Sequence, residues 1–127
     1  MIVLDASVLI AHLDGGDRHH ADAQDLLEAN SQEPLGASSI TLAETLVSPA
    51  RVDRLADAET ALQRLGVDEL SLGENAPGQL ARLRTDTGLK LPDCCVLLAA
   101  QHHDARVASF DTDLLKAARK LGLATAV

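Results

Sequence analysis

Apolar positions along the chain follow two rhythms. Short dense runs such as "MIVLD", "PLGASSI" and "ARVASF" read as buried strands, whereas "ASVLIAHL", "DRLADAETALQRL" and "DTDLLKAARKLG" repeat at helical spacing. The first strand runs straight into "ASVLIAHL", and "DGGD" breaks the chain before a second helix from about His19 to Ala29. "PLGASSI" leads into a helix over "TLAETLVS" that Pro49 is expected to stop. The helix over "DRLADAETALQRL" closes at Gly66, in the place of a C-terminal cap glycine. "VDELSL", polar in alternation, predicts an edge strand, and the helix from about Asn75 to Thr87 carries Pro77 in its first turn. A further helix opens at Pro92, "ARVASF" and the C-terminal helix follow, and "LATAV" predicts a terminal strand.

Strands alternating with helices imply a mostly parallel sheet covered on both faces, a three-layer α/β/α sandwich. A chain of 127 residues suffices for one such domain, residues 1–127, and is too short for two of ordinary size. No repeat or low-complexity segment interrupts it.

Acids fall at particular places in that scheme. Asp5 ends the first strand, Asp111 follows the late strand, and Glu44 and Asp93 stand at or near helix starts. In an open parallel sheet, strand carboxyl ends and the N-termini of the following helices share one edge, where ligands bind. Local roles are open to each acid. Asp5 can cap the helix that Ser7 opens, "TLAE" fits a capping box from Thr41 to Glu44, Asp111 and Asp113 suit a turn and first turn, and Asp93 suits a helix dipole. Capping does not require four acids on one edge, however. Spacing also groups Asp93 with Val96, Leu97 and Ala100, along the side of its helix expected to be buried. Two carboxylates 4 Å apart repel by on the order of 4 kcal/mol at an effective dielectric near 20, more than a cap returns. Something positive must offset that. Lys90 is the nearest cation in sequence to Asp93, and Asp5 and Glu44 have none within two residues. A hard divalent ion, Mg²⁺ or Mn²⁺, is the natural occupant of an all-oxygen site.

Net charge qualifies what such a site binds. At −8, with one Phe and no Trp or Tyr, the chain has neither a broad basic field nor stacking surface with which to hold nucleic acid. Any nucleic-acid role must rest on local chemistry. Cys94 and Cys95 are adjacent and match neither a zinc site nor a redox pair, so they read as reduced core and flank residues. The pairs His19–His20 and His102–His103 point apart on a helix and read as solvated helix-end residues, with the role of His12 open. The apolar runs are shorter than a membrane span and no signal-peptide pattern precedes the first, so a cytoplasmic location is expected.

The blocks "MIVLDASVLIAHL", "SSITLAETL", "LKLPDCCVLLAAQ" and "VASFDTDL" together resemble the motif blocks of the PIN-domain family, and in length and order its VapC-type toxins. That resemblance implies a PIN-like fold and an Mg²⁺- or Mn²⁺-dependent endoribonuclease, the toxin of a toxin–antitoxin pair. It implies Asp5, Glu44, Asp93 and Asp111 as catalytic, metal-holding residues, with Asp113 a second candidate for the last place and Ser7 as the hydroxyl beside the metal. It also implies an RNA substrate, a VapB-type antitoxin and a homodimer. Lys90, Arg18 and Lys116 are candidates for phosphate contacts.

Rival readings fit less of the chain. A phosphoacceptor signalling domain needs adjacent acids after the first strand and a lysine after the last, yet Asp5 stands alone and "LATAV" lacks a lysine. A haloacid-type phosphatase needs its D-x-D after the first strand, where "DAS" stands. A non-catalytic interaction domain leaves the acids without a task.

Overall fold

Start and stop signals in the sequence place the elements, and the computed structural model describes residues 1–126. In chain order they are β1 (Ile2–Leu4), α1 (Ala6–Leu13), α2 (His20–Ala29), β2 (Leu35–Ser38), α3 (Ser39–Arg51), α4 (Leu55–Leu65), β3 (Val67–Leu70), α5 (Ala76–Thr87), α6 (Leu91–His103), β4 (Arg106–Ala108) and α7 (Thr112–Lys120). The strands pair in parallel in the order β3-β2-β1-β4, so β3 is the edge strand its alternation predicts. With these seven helices around the sheet, the fold is the α/β architecture expected.

Alternation along β1 divides the core in two. Ile2 and Leu4 are fully buried with Val8, Leu9, Leu27, Leu35 and Leu62. Val3 turns to the other face, with Leu97, Val107 and Leu114. Parallel register sets Val3 beside both Gly36 and Val107. Gly36 has to be small, because a Cβ there would come within 2.5 Å of the Leu70 side chain. Helix α6 is buried at every position from Cys94 to Ala100, so it is apolar all round and not amphipathic. Cys95 is therefore core like Cys94, and both thiols are free.

Three boundaries differ from expectation. Pro49 lies inside α3, which continues to Arg51. The helix stops instead where Asp53 adopts a left-handed conformation at φ 59°, with Arg54 N–H donating to Pro49 O at 2.8 Å and Asp53 N–H to Ala50 O at 3.3 Å. That is a Schellman closure, with Asp in the place glycine usually takes. Upstream, Ser38 caps α3 by accepting from Thr41 N–H at 3.2 Å, so "SSI" ends in helix and Glu44 falls in the second turn rather than in a capping box. Finally, the terminal strand reduces to a single bridge, Val107 to Thr125, and Val127 lies outside the described residues. Among the described residues, no helix is long and apolar enough to cross a membrane.

Candidate active site

Chain order and sheet order disagree at one place. From β1 the chain winds outward through β2 to β3, then returns through α5 and α6 to place β4 on the other side of β1. Ligands of open α/β sheets bind at such a reversal, outside the carboxyl ends of the strands. Asp5 leaves β1 at that point, and Ser109 and Asp111 leave β4 beside it.

Asp5 occupies the N-cap position of α1 but makes no side-chain cap bond. Its carboxylate, in a residue only 7% exposed, takes two hydroxyl protons on one oxygen instead. Ser7 Oγ and Ser109 Oγ each donate to Asp5 Oδ2 at 2.7 Å. The same hydroxyls accept backbone protons, Ser7 from Phe110 N–H at 3.0 Å and Ser109 from Asp111 N–H at 2.9 Å. One carboxylate oxygen is thus held by two hydroxyls that are themselves tied to the backbone after β4. This network is also why β4 ends at Ala108, since the following residues bond to Asp5 and Ser7 rather than to a neighbouring strand.

Ser109 is the residue that sequence reasoning missed. The available signal was a small hydroxyl directly after a buried strand, opposite the "DAS" that follows β1. Because its hydroxyl is fully buried and both donates and accepts, Ser109→Ala should cost about 1–3 kcal/mol of stability. Ser7→Ala should cost less, because Ser7 is partly exposed and water replaces the lost bonds. Urea unfolding of the two variants checks the order.

The other acids sense this centre electrostatically. Burial pushes the Asp93 carboxyl above its ordinary range, the charges of Asp5 and Asp111 push it further, and Lys90 partly opposes them. Asp93 sits half-buried in the first turn of α6, behind Lys90 at the N-cap. Glu44 shifts the same way, first through desolvation of its carboxyl end and then through Asp5 and Asp93, although much of the residue is exposed. Asp111 does act as a cap, with Oδ1 accepting from Asp113 N–H at 2.9 Å and Leu114 N–H at 3.4 Å. Of the two acids in this block, Asp111 is the one whose charge raises Asp93. Asp113 is exposed in the first turn of α7.

These acids influence one another without meeting at a point. Among the described residues, no three His, Cys, Asp or Glu side chains are gathered tightly enough to grip an ion. An all-carboxylate set of this kind suits Mg²⁺, which keeps several waters and takes only one or two carboxylates directly. It does not suit zinc, which wants four close nitrogen and sulfur ligands.

His19, His20 and His103 have structural partners, contrary to the expectation of solvated helix ends, whereas His102 is exposed at the end of α6 as expected. His20 Nδ1 lies 2.7 Å from Ala11 O, His103 Nε2 2.8 Å from Ser71 O, and the His19 ring stacks on Phe110. His12 Nδ1 is 2.7 Å from Gln24 Oε1, joining α1 to α2. Of the proposed phosphate contacts, Lys90 alone is tied to the acids, whereas Arg18 and Lys116 are exposed residues outside these bonds.

Fold and site together define a parallel α/β domain with carboxylates at its switch point. The sequence pattern of the PIN domain matches residues 2–120, and the chain belongs to that family. Among solved structures it is similar to a toxin–antitoxin complex from Klebsiella pneumoniae, at 26% identity and TM-score 0.76, covering 100% of this chain and 98% of that one. VapC20 of Mycobacterium tuberculosis, a toxin that cleaves the sarcin-ricin loop, matches at 21% identity and TM-score 0.74 over 92% of this chain and 95% of that one. FitAcB from Neisseria gonorrhoeae follows at 21% identity and TM-score 0.72, covering 98% and 96%. The last two likenesses show shared fold. No protein of curated function matches the sequence.

Proposed function

We propose that this PIN domain is a metal-dependent endoribonuclease and the toxin of a toxin–antitoxin pair. The observation that supports this most is the set of carboxylates at the switch point: burial raises the pKa of Asp93 and Glu44, the charge of Asp5 raises both further, and at Asp93 the charge of Asp111 adds to this while Lys90 opposes it. Asp5, Glu44, Asp93 and Asp111 would hold Mg²⁺ or Mn²⁺, which when bound supplies an acidified water and positive charge at the phosphodiester. The chain's own contribution is positional. Ser7 and Ser109 hold Asp5 through one oxygen, Asp111 is fixed by its cap bonds, and Asp93 stands in the first turn of α6. Lys90 stands where it can meet a phosphate, with Arg18 and Lys116 as outer contacts. The bound cation also reverses the local sign, which lets a chain of net charge −8 approach RNA.

Incubating the purified chain with mixed RNA tests the reading. Cleavage leaving 5′-phosphate and 3′-hydroxyl ends is expected with Mg²⁺ or Mn²⁺ and is expected to stop in excess EDTA. Full activity in EDTA would remove the metal from the account.

The partner side of the proposal rests on the toxin–antitoxin complex from Klebsiella pneumoniae to which the chain is similar and on one surface. A cleft of about 620 Å³ between α1, α3 and α4 is lined by Ile10, Leu13, Pro49, Val52 and Ala61, and Val52 is 68% exposed. A VapB-type antitoxin segment covering these side chains would remove apolar area from water. Val52→Asp should weaken antitoxin binding at least tenfold and leave RNA cleavage intact, as pull-down and cleavage assays on one preparation would show. A homodimer in light scattering completes the proposed assembly.

A further inference from the structure

Phe110 is the chain's only residue with a phenyl, phenol or indole ring, and its backbone N–H already belongs to the acid site through Ser7. Its ring stacks on His19, with centroids 4.7 Å apart and planes 15° from parallel. The pair forms part of the wall of a second cleft, of about 530 Å³, together with Asp22, Asp25, Leu115 and Ser109. Ser109 also bonds Asp5, so this cleft and the acid site share a wall.

We propose that the cleft holds one nucleobase of the RNA, stacked against the His19–Phe110 pair, and prefers a base carrying an exocyclic amino group. The proposal rests on the ribonuclease reading and adds a sequence-reading subsite to it. Proteins that read single-stranded RNA stack unpaired bases on Phe and His rings and bond to the exposed base edges. The ring pair is held ready for that. The His19 Nδ1 lies 3.3 Å from Asp22 Oδ2, and the residue's backbone N–H donates to Asp17 Oδ1 at 2.8 Å, so the stacked, bonded imidazole does not have to be ordered on binding.

Charge decides which part of RNA enters. The carboxylates of Asp22 and Asp25 repel a phosphate but accept N–H protons from the amino group of guanine, adenine or cytosine. Uracil offers two carbonyl oxygens around a single N–H. It would set acceptor against acceptor.

The absence of Trp elsewhere supplies a clean probe. Phe110→Trp puts a single indole at the stacking position, and titration with each ribonucleoside in EDTA needs neither metal nor cleavage. Saturable quenching by guanosine, adenosine and cytidine is expected, each at several-fold lower concentration than uridine, with the preference levelled by Asp25→Asn. Equal quenching by all four would overturn the amino-group preference, and no saturable quenching would overturn the subsite. A second arm sequences the 5′ ends of RNA fragments cut by wild type, Phe110→Leu and Phe110→Tyr. Leu keeps the packing without the ring, so cleavage at the preferred base should weaken about five- to a hundredfold, while Tyr retains it. Unchanged cleavage at that base in Phe110→Leu would overturn the proposal. Quenching without any cleavage by the wild-type chain would support the nucleobase site and overturn the ribonuclease reading instead.

Discussion

Asp93→Asn should abolish RNA cleavage, lowering the rate at least a hundredfold, while the variant remains folded. Asparagine keeps the shape of aspartate and loses the charge that a hard cation needs. Asp5→Asn should act as strongly. Its carboxylate accepts from two serine hydroxyls, which hold it in place beside the end of β4, so the substitution removes charge from a fixed position. Asp113→Asn should have much the smaller effect of the two changes in the "FDTD" block, because Asp111 is the acid whose charge reaches Asp93. Gel assays at matched concentration, with circular dichroism to verify folding, read all three. Turnover near wild type in Asp93→Asn would leave that residue as a partner for the α6 dipole and nothing more.

The second large effect is on stability and has a sign that separates the two roles of Asp93. Glu44 and Asp93 have folded-state pKa values raised above their ordinary 4.5 and 3.8. A raised carboxyl favours folding in its protonated form. Its contribution is therefore fully present below the ordinary value and is lost as pH rises through the raised one. In EDTA, at a pH above the raised values, the ionised groups strain the fold. Asp93→Asn should then be more stable than wild type, by on the order of 1 kcal/mol once solvent screening of these partly exposed groups is allowed for. A helix-dipole aspartate predicts the opposite, a loss of about 0.3–1 kcal/mol on substitution. Mg²⁺ at about 100 times its dissociation constant should add roughly 2.7 kcal/mol to wild type and much less to the variant. Thermal unfolding at low ionic strength, with and without Mg²⁺, should show the two proteins exchanging order.

Much of this site is visible in the chain because its parts lie at boundaries that local patterns mark. Asp5 follows three apolar residues that cannot be anything but buried, and Asp93 follows Pro92, which sets a helix start. Once strands and helices alternate, the shared edge follows. Ser109 could not be found that way, since its meaning comes from Asp5, 104 positions earlier, and no local period records that contact. The end of α3 was hidden for a different reason. A proline near a C-terminus lacks only a bond that the helix is about to give up, and the signal that does end it, Asp53 at positive φ, looks like any surface acid. The bonds of His20 and His103 are not legible in the sequence, because contacts across 9 or 32 positions depend on packing that only the assembled sheet provides. "LATAV" has strand composition, yet it makes a single bridge to the β4 edge.

Direct binding of Mn²⁺ to the metal-free protein, followed by calorimetry at neutral pH, tests the central claim that the acids at the switch point form a cation site. Wild type should bind saturably, with Asp93→Asn and Asp5→Asn at least tenfold weaker and Asp113→Asn close to wild type. Equal binding by wild type and Asp93→Asn, or no binding by wild type, would contradict it.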